Sequence, residues 1–417
     1  MALEALLGAE RAPLLATLSR LLRDVDLAEE VTQDALVQAL RRWPREGVPR
    51  RPAAWLLTTA RNAARDRFRG AKLSSAKEPA LIAELQQQPA PWEAAFAAID
   101  EPIRDDQLRL LFVCAHPKLP QDAQVALALR LLGGLTVEEI GRAFLQPPPT
   151  VAQRLVRAKR TIAELGLPFE VPEGDDLRAR LPTVLQSIYL IFNEGFSAAS
   201  GAALLRQDLC EEAIRLARLA AGLLPDEPEA HGLCGLLELQ HARRATRIDA
   251  EGRMVLLEHQ DRSRWDGPLL RSGLGRLADA HHAAGSRSSW AGGRYQIEAA
   301  LAACHATAPS FAQTNWTMIA GLYAALQRIA PSPVVELNRA VAVGMGEGPA
   351  AGLHALEGLV GPLRNFHLYW SVRADFLRRL GRNAEAILAY REALARAENA
   401  VERAFLEGRI AECSSAP

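Results

Sequence analysis

Four cations lie close together in the stretch TVAQRLVRAKR, and their types suit contact with phosphate. They are Arg154, Arg157, Lys159 and Arg160, and the stretch contains no acidic residue. Arginine and lysine donate charge-assisted hydrogen bonds to phosphate, and an arginine at a guanine edge adds about 1–3 kcal/mol of base discrimination. The three arginines recur at every third residue, which predicts one broad helical face. The opposite face is predicted to be a buried stripe of Leu155, Ala158 and Ile162.

The residues before this basic helix predict a helix-turn-helix motif. Thr136 and Glu139 have the spacing of a capping box and predict the start of a short helix. The segment LQPPP must end that helix, and Pro149 can begin the next one because proline is tolerated in a first turn. A solvated amphipathic helix is the alternative for the basic segment. The capped helix and the tight break favour DNA binding.

A second basic segment covers residues 50–72 and contains seven cations against one acid, Asp66. The cations are Arg50, Arg51, Arg61, Arg65, Arg67, Arg69 and Lys72. Arg61, Arg65 and Arg69 are four residues apart, which predicts one stripe on a helix from about Ala53 to Arg69. Cations interleaved with Trp55 and Asn62 suit tracking of a nucleic-acid backbone and contact with unstacked bases. Trp55 is equally explained as a core residue.

An acidic segment precedes these basic ones. Its carboxylates are Asp24, Asp26, Glu29, Glu30 and Asp34. Asp26 and Glu29 have capping-box spacing and predict a helix through Leu40, followed by a loop at 43–52. Such a face would repel DNA, so it suits contact with a basic protein surface. An ordinary solvated helix face remains the alternative.

Composition predicts an all-α chain with more than one domain. Among the 417 residues Lys+Arg is 49 and Asp+Glu is 49, which excludes a generally polycationic protein. Alanine and leucine dominate the hydrophobic residues, and this favours helix over strand. Five cysteines without a CxxC motif and the lack of a signal peptide or membrane-length apolar run predict a reduced, cytoplasmic protein. We find no catalytic triad, cofactor motif or zinc spacing, and we therefore expect no enzyme, no cofactor and no metal.

The C-terminal half contains a weak internal repeat. The segments NRAVAVGMGEGPAAGLHAL and VRADFLRRLGRNAEAILAY align when Ala340 is placed on Ala374, at an offset of 34 residues. This is the tetratricopeptide period, and it predicts paired helices that approach through small residues. Asp226 and Glu229 predict the cap of an earlier helix. The region is interpreted as a tetratricopeptide-like helical array.

Several segments together resemble a bacterial RNA polymerase sigma factor of the extracytoplasmic-function type. They are DVDLAEEVTQDALVQAL, PAAWLLTTARNAARDRFR and LTVEEIGRAF followed by TVAQRLVRAKRTI. The later segments IYLIFNEGFSAASG and LLEHQDRSRWD are similar to the C-terminal extension of one subgroup. The resemblance implies sigma region 2 at 1–72, a linker at 73–104, region 4 at 105–168 and a tetratricopeptide-like regulatory domain at 175–417. The chain departs from the family at QPPP and at WAGGRYQ.

The resemblance also implies partners and residue roles. The partners are promoter DNA and core RNA polymerase, through the clamp of its largest subunit and the flap, with no membrane. An intramolecular contact between the C-terminal domain and the sigma modules is also expected. The polymerase-facing residues would be Asp24, Asp26, Glu29, Glu30, Asp34 and Gln38. The DNA-binding residues would be Trp55, Arg61, Asn62, Arg65 and Arg69 at the minus-ten element, and Thr150, Gln153, Arg154, Arg157, Lys159 and Arg160 at the minus-35 element.

Two other functions stay open at this point. A helix-turn-helix regulator with a tetratricopeptide sensor would explain residues 122–417 but would leave residues 26–69 unexplained. A helical scaffold or enzyme centred on Asn193, Glu194 and Gly195 is the third hypothesis. Dimeric binding to a palindrome would favour the helix-turn-helix regulator. Turnover of a small molecule would favour the enzyme.

Overall fold

A computed structural model describes residues 2–75, 96, 105–144, 146–196, 207–249, 255–285, 292–397 and 400–415. Every regular element in these ranges is a helix, which confirms the predicted all-α class. The chain divides into two compact units. The first consists of Met1–Ser197 and Leu205–Leu219, and the second of Ala198–Leu204 and Ala220–Pro417.

The first unit carries both basic segments. Its described helices are α1 (Ala2–Leu22), α2 (Val25–Glu46), α3 (Pro52–Ser75), α4 (Asp105–Cys114), α5 (Gln121–Leu131), α6 (Val137–Ala143), α7 (Pro148–Leu165), α8 (Gly174–Phe196) and α9 (Gln207–Leu223), the last of which ends in the second unit. Helix α1 packs on α2 and α4, and α2 packs on α3. Helix α5 packs on both α7 and α8.

Helix α2 differs from the prediction at both ends. The N-cap is Asp24, not Asp26, and its carboxylate accepts a hydrogen bond from the Leu27 amide at 3.0 Å. The helix ends at Glu46, not at Leu40, so the predicted loop at 43–52 shrinks to 47–51. The reason is Trp43, which is buried and packs edge-to-face on Trp55 with ring centroids 5.3 Å apart. Burial of this ring outweighs the unfavourable proline that follows it.

Helices α6 and α7 follow the predicted pattern closely. The Glu139 amide donates to Thr136 Oγ1 at 3.2 Å, and the Thr136 amide donates to Glu139 Oε2 at 2.7 Å, which confirms the capping box. Helix α7 begins at Pro148, one residue earlier than predicted. The backbone amides in the first turn of a helix have no acceptor within the helix, so consecutive prolines at its start sacrifice no hydrogen bond. The predicted linker at 73–104 lies outside the described residues except for 73–75, which end α3, and Phe96, which is buried.

The described helices of the second unit follow in simple order. They are α10 (Pro228–His241), α11 (Gly267–Ala284), α12 (Arg294–Thr307), α13 (Trp316–Ile329), α14 (Pro333–Gly346), α15 (Pro349–Leu356), α16 (Val360–Leu363), α17 (His367–Arg379), α18 (Asn383–Leu394) and α19 (Ala400–Ser415). The 34-residue offset places the pair α14–α15 on the pair α17–α18. Ala340 and Ala374 are both fully buried. The ring of Phe376 packs against Gly352, where an added Cβ would lie 2.6 Å from it.

The predicted cap at Asp226 and Glu229 is wrong. Helix α10 begins at Pro228, and its N-cap residue makes no side-chain cap bond. The Glu229 carboxylate instead accepts hydrogen bonds from the amides of Tyr295 at 3.0 Å and Gln296 at 3.1 Å, in the first turn of α12. Gly293 permits this approach, since an added Cβ there would lie 2.5 Å from Glu229 Oε1. The carboxylate therefore caps a helix 66 residues away, which local spacing cannot reveal.

Candidate nucleic-acid interface

Helix α7 has one buried face and one exposed face. Val151, Leu155, Ala158 and Ile162 are buried, which confirms the predicted apolar stripe. The exposed face is formed by Thr150, Gln153, Val156, Arg157 and Arg160. Val156 was not predicted, although 66% of it is exposed. The signal in the sequence that could have revealed this exposure is the position of Val156 between two predicted contact residues on the polar face.

Arg154 lies at the edge of this face and turns toward α5. Its Nη2 atom is 2.8 Å from Asp122 Oδ2, and its side chain is mostly buried. A step of three residues advances a helix by about 300°, so Arg154 and Arg160 point about 120° apart. The predicted common face of the three arginines therefore holds only for Arg157 and Arg160. A DNA contact by Arg154 stays a prediction that requires the ion pair to break.

Lys159 faces away from the exposed surface and contacts the acidic helix α2. Its Nζ atom is 2.8 Å from Asp26 Oδ1 and 2.7 Å from Glu29 Oε2. Burial alone lowers the pKa of Lys159, but the hydrogen bonds to Asp26 and Glu29 outweigh it, and the pKa is raised. Lys159, which is predicted to contact DNA, therefore binds two residues that are predicted to contact polymerase, Asp26 and Glu29.

Helix α3 presents the predicted basic stripe. Asn62 and Arg69 are exposed, and Arg61 and Arg65 are half-buried. The ring of Trp55 is half-buried against Trp43, so it belongs partly to the core.

Arg67 lies on the side of α3 that faces α2. It forms ion pairs with Glu30 and with Asp34, the latter at 2.6 Å. The hydrogen bond to Asp34 is the main cause of the raised pKa of Arg67. This pairing removes one cation from the surface charge that the sequence suggested.

Most of the predicted polymerase-facing residues have partners within the chain. Asp24 caps α2, while the other four acids bind Lys159 or Arg67 as described above. Gln38 is half-buried. Helix α2 exposes Val37 and Leu40 instead, at 36% and 46%. Residues three apart share a helix face, and exposed large apolar side chains on one face suit protein contact.

Comparison with known proteins agrees with this geometry. Residues 6–73 match sigma-70 region 2, and residues 109–162 match sigma-70, region 4. The chain is 44% identical over 410 residues to the uncharacterized protein R00370 of Rhizobium meliloti (strain 1021). The aligned residues cover 98% of this chain and 95% of that protein. The chain belongs to the same family as R00370. It is a sigma-70-type sigma factor. No solved structure matches it.

The matched ranges assign the helices of the sigma factor. Region 2 corresponds to α1–α3 and region 4 to α4–α7, and both point to a role in transcription initiation. The two regions fit the extracytoplasmic-function type. Residues 180–281 match a family of unknown function (DUF6596). The tetratricopeptide-like name for the C-terminal helices therefore stays a prediction.

The other candidate features of the sigma factor are the segment 193–195, a metal site and a membrane helix. Asn193, Glu194 and Gly195 lie in the last turn of α8, and residues 197–201 of that motif lie outside the described part of the chain. Among the described residues no cluster of three or more His, Cys, Asp or Glu side chains could hold a metal ion. None of the described helices is long and apolar enough to cross a membrane.

Proposed function

We propose that this sigma factor binds core RNA polymerase and directs it to promoters, which it recognises and melts. The observation that supports this most strongly is the exposed face of α7, which follows a capped helix at a tight break. Such a helix fits the major groove with base-reading side chains outward. A helix-turn-helix regulator without polymerase would leave the region 2 match unexplained.

At the minus-35 element, the exposed side chains of α7 offer three kinds of contact. Arg157 and Arg160 suit guanine edges and phosphates, and Gln153 suits an adenine edge. Thr150, at the start of the helix, suits a phosphate. Val156 adds an apolar surface that fits the methyl group of a thymine. Together these contacts combine sequence reading with backbone affinity.

At the minus-ten element, α3 would hold one separated strand. Arg61, Arg65 and Arg69 track the backbone, while Asn62 and the accessible part of Trp55 meet bases. Residues 47–51 form the exposed loop between α2 and α3 and suit capture of an extruded base. Binding unstacked bases offsets the lost pairing, at a few kcal/mol per base. Melting is therefore driven by binding free energy, and the polymerase makes the phosphodiester bonds.

The contact with polymerase is assigned to α2. The predicted acids Asp24, Asp26, Glu29, Glu30 and Asp34 have partners within the chain, so Val37 and Leu40, which give this helix an exposed apolar surface, carry the assignment. We assign α2 to the clamp of the largest subunit and region 4 to the flap. The second unit is assigned a modulating role, without a catalytic one.

A purified core polymerase tests the assignment of α2. The wild-type chain is expected to form a stoichiometric complex on gel filtration. Replacing both exposed side chains (Val37→Asp with Leu40→Asp) should weaken that complex by about 30-fold, since buried apolar anchors contribute on the order of 2 kcal/mol. Leu388→Asp is the control, because Leu388 is 61% exposed on α18 of the second unit. A wild-type chain that forms no complex would refute the proposed function.

A further inference from the structure

A cavity of about 360 Å³ lies within the second unit, and we call it the second-unit cavity. One wall is formed by residues 256–258, α12 and α13, and the other wall by α17, α18 and α19. Helix α14 packs on both α13 and α17 and lines the cavity between these walls. A cavity larger than about 300 Å³ can hold a small organic molecule.

Most of the lining of the second-unit cavity is apolar, and much of it is aromatic. The ring of Trp316 packs edge-to-face on Phe311 and on His305, with ring centroids 5.2 and 5.4 Å apart. Ile319 and Phe376 are buried and add further apolar surface. Rigid rings of this kind contact a ligand at a low cost in side-chain entropy. The lining therefore suits a molecule whose body is largely apolar.

The wall that contains His305 carries more positive than negative charge. Burial, and then the charges of Arg243 and Arg262, lower the pKa of His305 to about 4, so its ring is neutral at pH 7. Arg243 donates to Gln240 Oε1 at 2.6 Å, and Arg262 donates to backbone carbonyls at the end of α12. These acceptors are neutral, so the hydrogen bonds leave both positive charges in place. The two cations outweigh the Glu258 carboxylate, which also lines this wall.

The ion pairs of the opposite wall also contain more cations than acids. Asp375 accepts from two arginines, since Arg378 Nη2 lies 2.7 Å from Oδ1 and Arg379 Nε lies 2.6 Å from Oδ2. Arg409 Nη1 lies 2.8 Å from Glu412 Oε2. Three arginines therefore share two carboxylates, and both Arg379 and Arg409 line the cavity. An anionic group on a ligand would compensate the excess charge.

Arg379 has hydrogen-bond donors to offer such an anion. Its Nη1 atom lies 3.0 Å from the sulfur of Met345, and a thioether is a weak acceptor. Its side chain is 32% exposed, so solutes can reach it. A guanidinium group presents its donors as a planar fork that matches the two oxygens of a carboxylate. A ligand carboxylate is therefore a better acceptor for Arg379 than the sulfur that it now contacts.

We infer that the second-unit cavity binds a small organic acid with a largely apolar body. The body lies among Trp316, Phe311 and Phe376, and the carboxylate accepts hydrogen bonds from Arg379. His305 Nδ1 is buried and has no hydrogen-bond partner among the described residues, so it can pair with a polar substituent on the body. The inference is independent of the proposed function, because it concerns a ligand of the second unit and neither polymerase nor promoter.

Isothermal titration calorimetry on the full-length chain tests this inference. The probes are straight-chain acids of about six to twelve carbons and phenyl-substituted acids of similar size, each with its primary amide as a neutral match. At least one acid is expected to bind, and its amide should bind at least about tenfold more weakly, because the amide lacks the charge that Arg379 recognises. Arg379→Gln should weaken binding of that acid by about tenfold as well.

Arg382→Gln is the matched control for Arg379→Gln. Arg382 pairs with Glu385 at 2.7 Å, is exposed, and does not line the cavity. It should leave the affinity for the acid within about twofold, and both variants should unfold near the wild-type temperature because exposed ion pairs contribute little to stability.

Three results would each overturn the inference. They are no binding by any acid, equal binding by an acid and its amide, and equal affinities of the Arg379→Gln and Arg382→Gln variants for the acid. If the wild type still forms its polymerase complex after such a result, the proposed function survives. A wild type that binds an acid but neither polymerase nor promoter would instead refute the proposed function alone.

Discussion

Replacing Arg157 and Arg160 together with alanine is expected to weaken binding to a minus-35 duplex by about 30-fold or more. Both side chains lie on the exposed face of α7, and each interaction of this kind contributes about 1–3 kcal/mol. The dependence on salt should flatten as well, by about 0.9 in the log–log slope for each phosphate that the variant no longer neutralises. Fluorescence anisotropy of a labelled duplex over a range of salt concentrations measures both effects.

Two other arginine variants test whether the loss of DNA affinity is specific to the exposed face of α7. Arg178→Ala removes an exposed cation from α8 and should leave affinity within about twofold, since Arg178 lies outside the exposed face of α7 and its surface ion pair with Asp175 contributes little. Arg154→Ala should have a smaller effect than the double variant, because the Arg154 side chain is mostly buried in its pair with Asp122, whereas Arg160 stays 79% exposed in its pair with Glu164. A larger decrease in affinity for Arg154→Ala than for the Arg157 and Arg160 pair would contradict the assigned face.

Cutting the chain after Leu177 is expected to destabilise region 4 and not merely to remove a regulator. Helix α8 packs on α5, and the cut would remove six of its buried apolar side chains. They are Leu181, Val184, Leu185, Ile188, Ile191 and Phe192. At about 1.5–3 kcal/mol each as an upper figure, their combined contribution is comparable to the whole stability of a domain. Thermal unfolding followed by circular dichroism should show a lower midpoint or no cooperative transition.

A longer fragment separates the structural role from the regulatory one. A chain that ends at Leu223 keeps α8 and α9, including the Glu212 carboxylate that accepts from Gln107 Nε2 of α4 at 2.6 Å. This fragment should unfold cooperatively and retain minus-35 binding. Equal stability of the two fragments would contradict a structural role for α8. Any change in transcription by the longer fragment would then report the modulating role of the second unit.

Local patterns in the sequence predicted the elements whose causes are local. The capping box at Thr136 and Glu139 depends on residues three apart, and the buried stripe of α7 depends on helical period alone. The all-α class followed from composition. Even so, Asp24 displaced Asp26 as the cap of α2, because Val25 is buried and the helix begins there. Competing cap residues two positions apart cannot be separated without knowledge of the packing.

Contacts between distant residues could not be predicted from spacing. Lys159 and Asp26 are 133 positions apart, and Arg67 and Asp34 are 33 apart. Sequence neighbours alone predict DNA contact for Lys159 and a general cationic surface for Arg67, because neither local pattern includes the acidic partner. The exposed positions of Val37, Leu40 and Val156 likewise depend on which faces the tertiary packing leaves uncovered.

A run-off transcription assay tests the central claim most directly. Core RNA polymerase is supplied with this chain and with a library of promoter fragments from the source genome. The proposed function predicts discrete transcripts that require the chain, that disappear with the Arg157 and Arg160 double variant, and that are absent with core polymerase alone. No chain-dependent transcript from any fragment, together with no complex between chain and core polymerase, would contradict it.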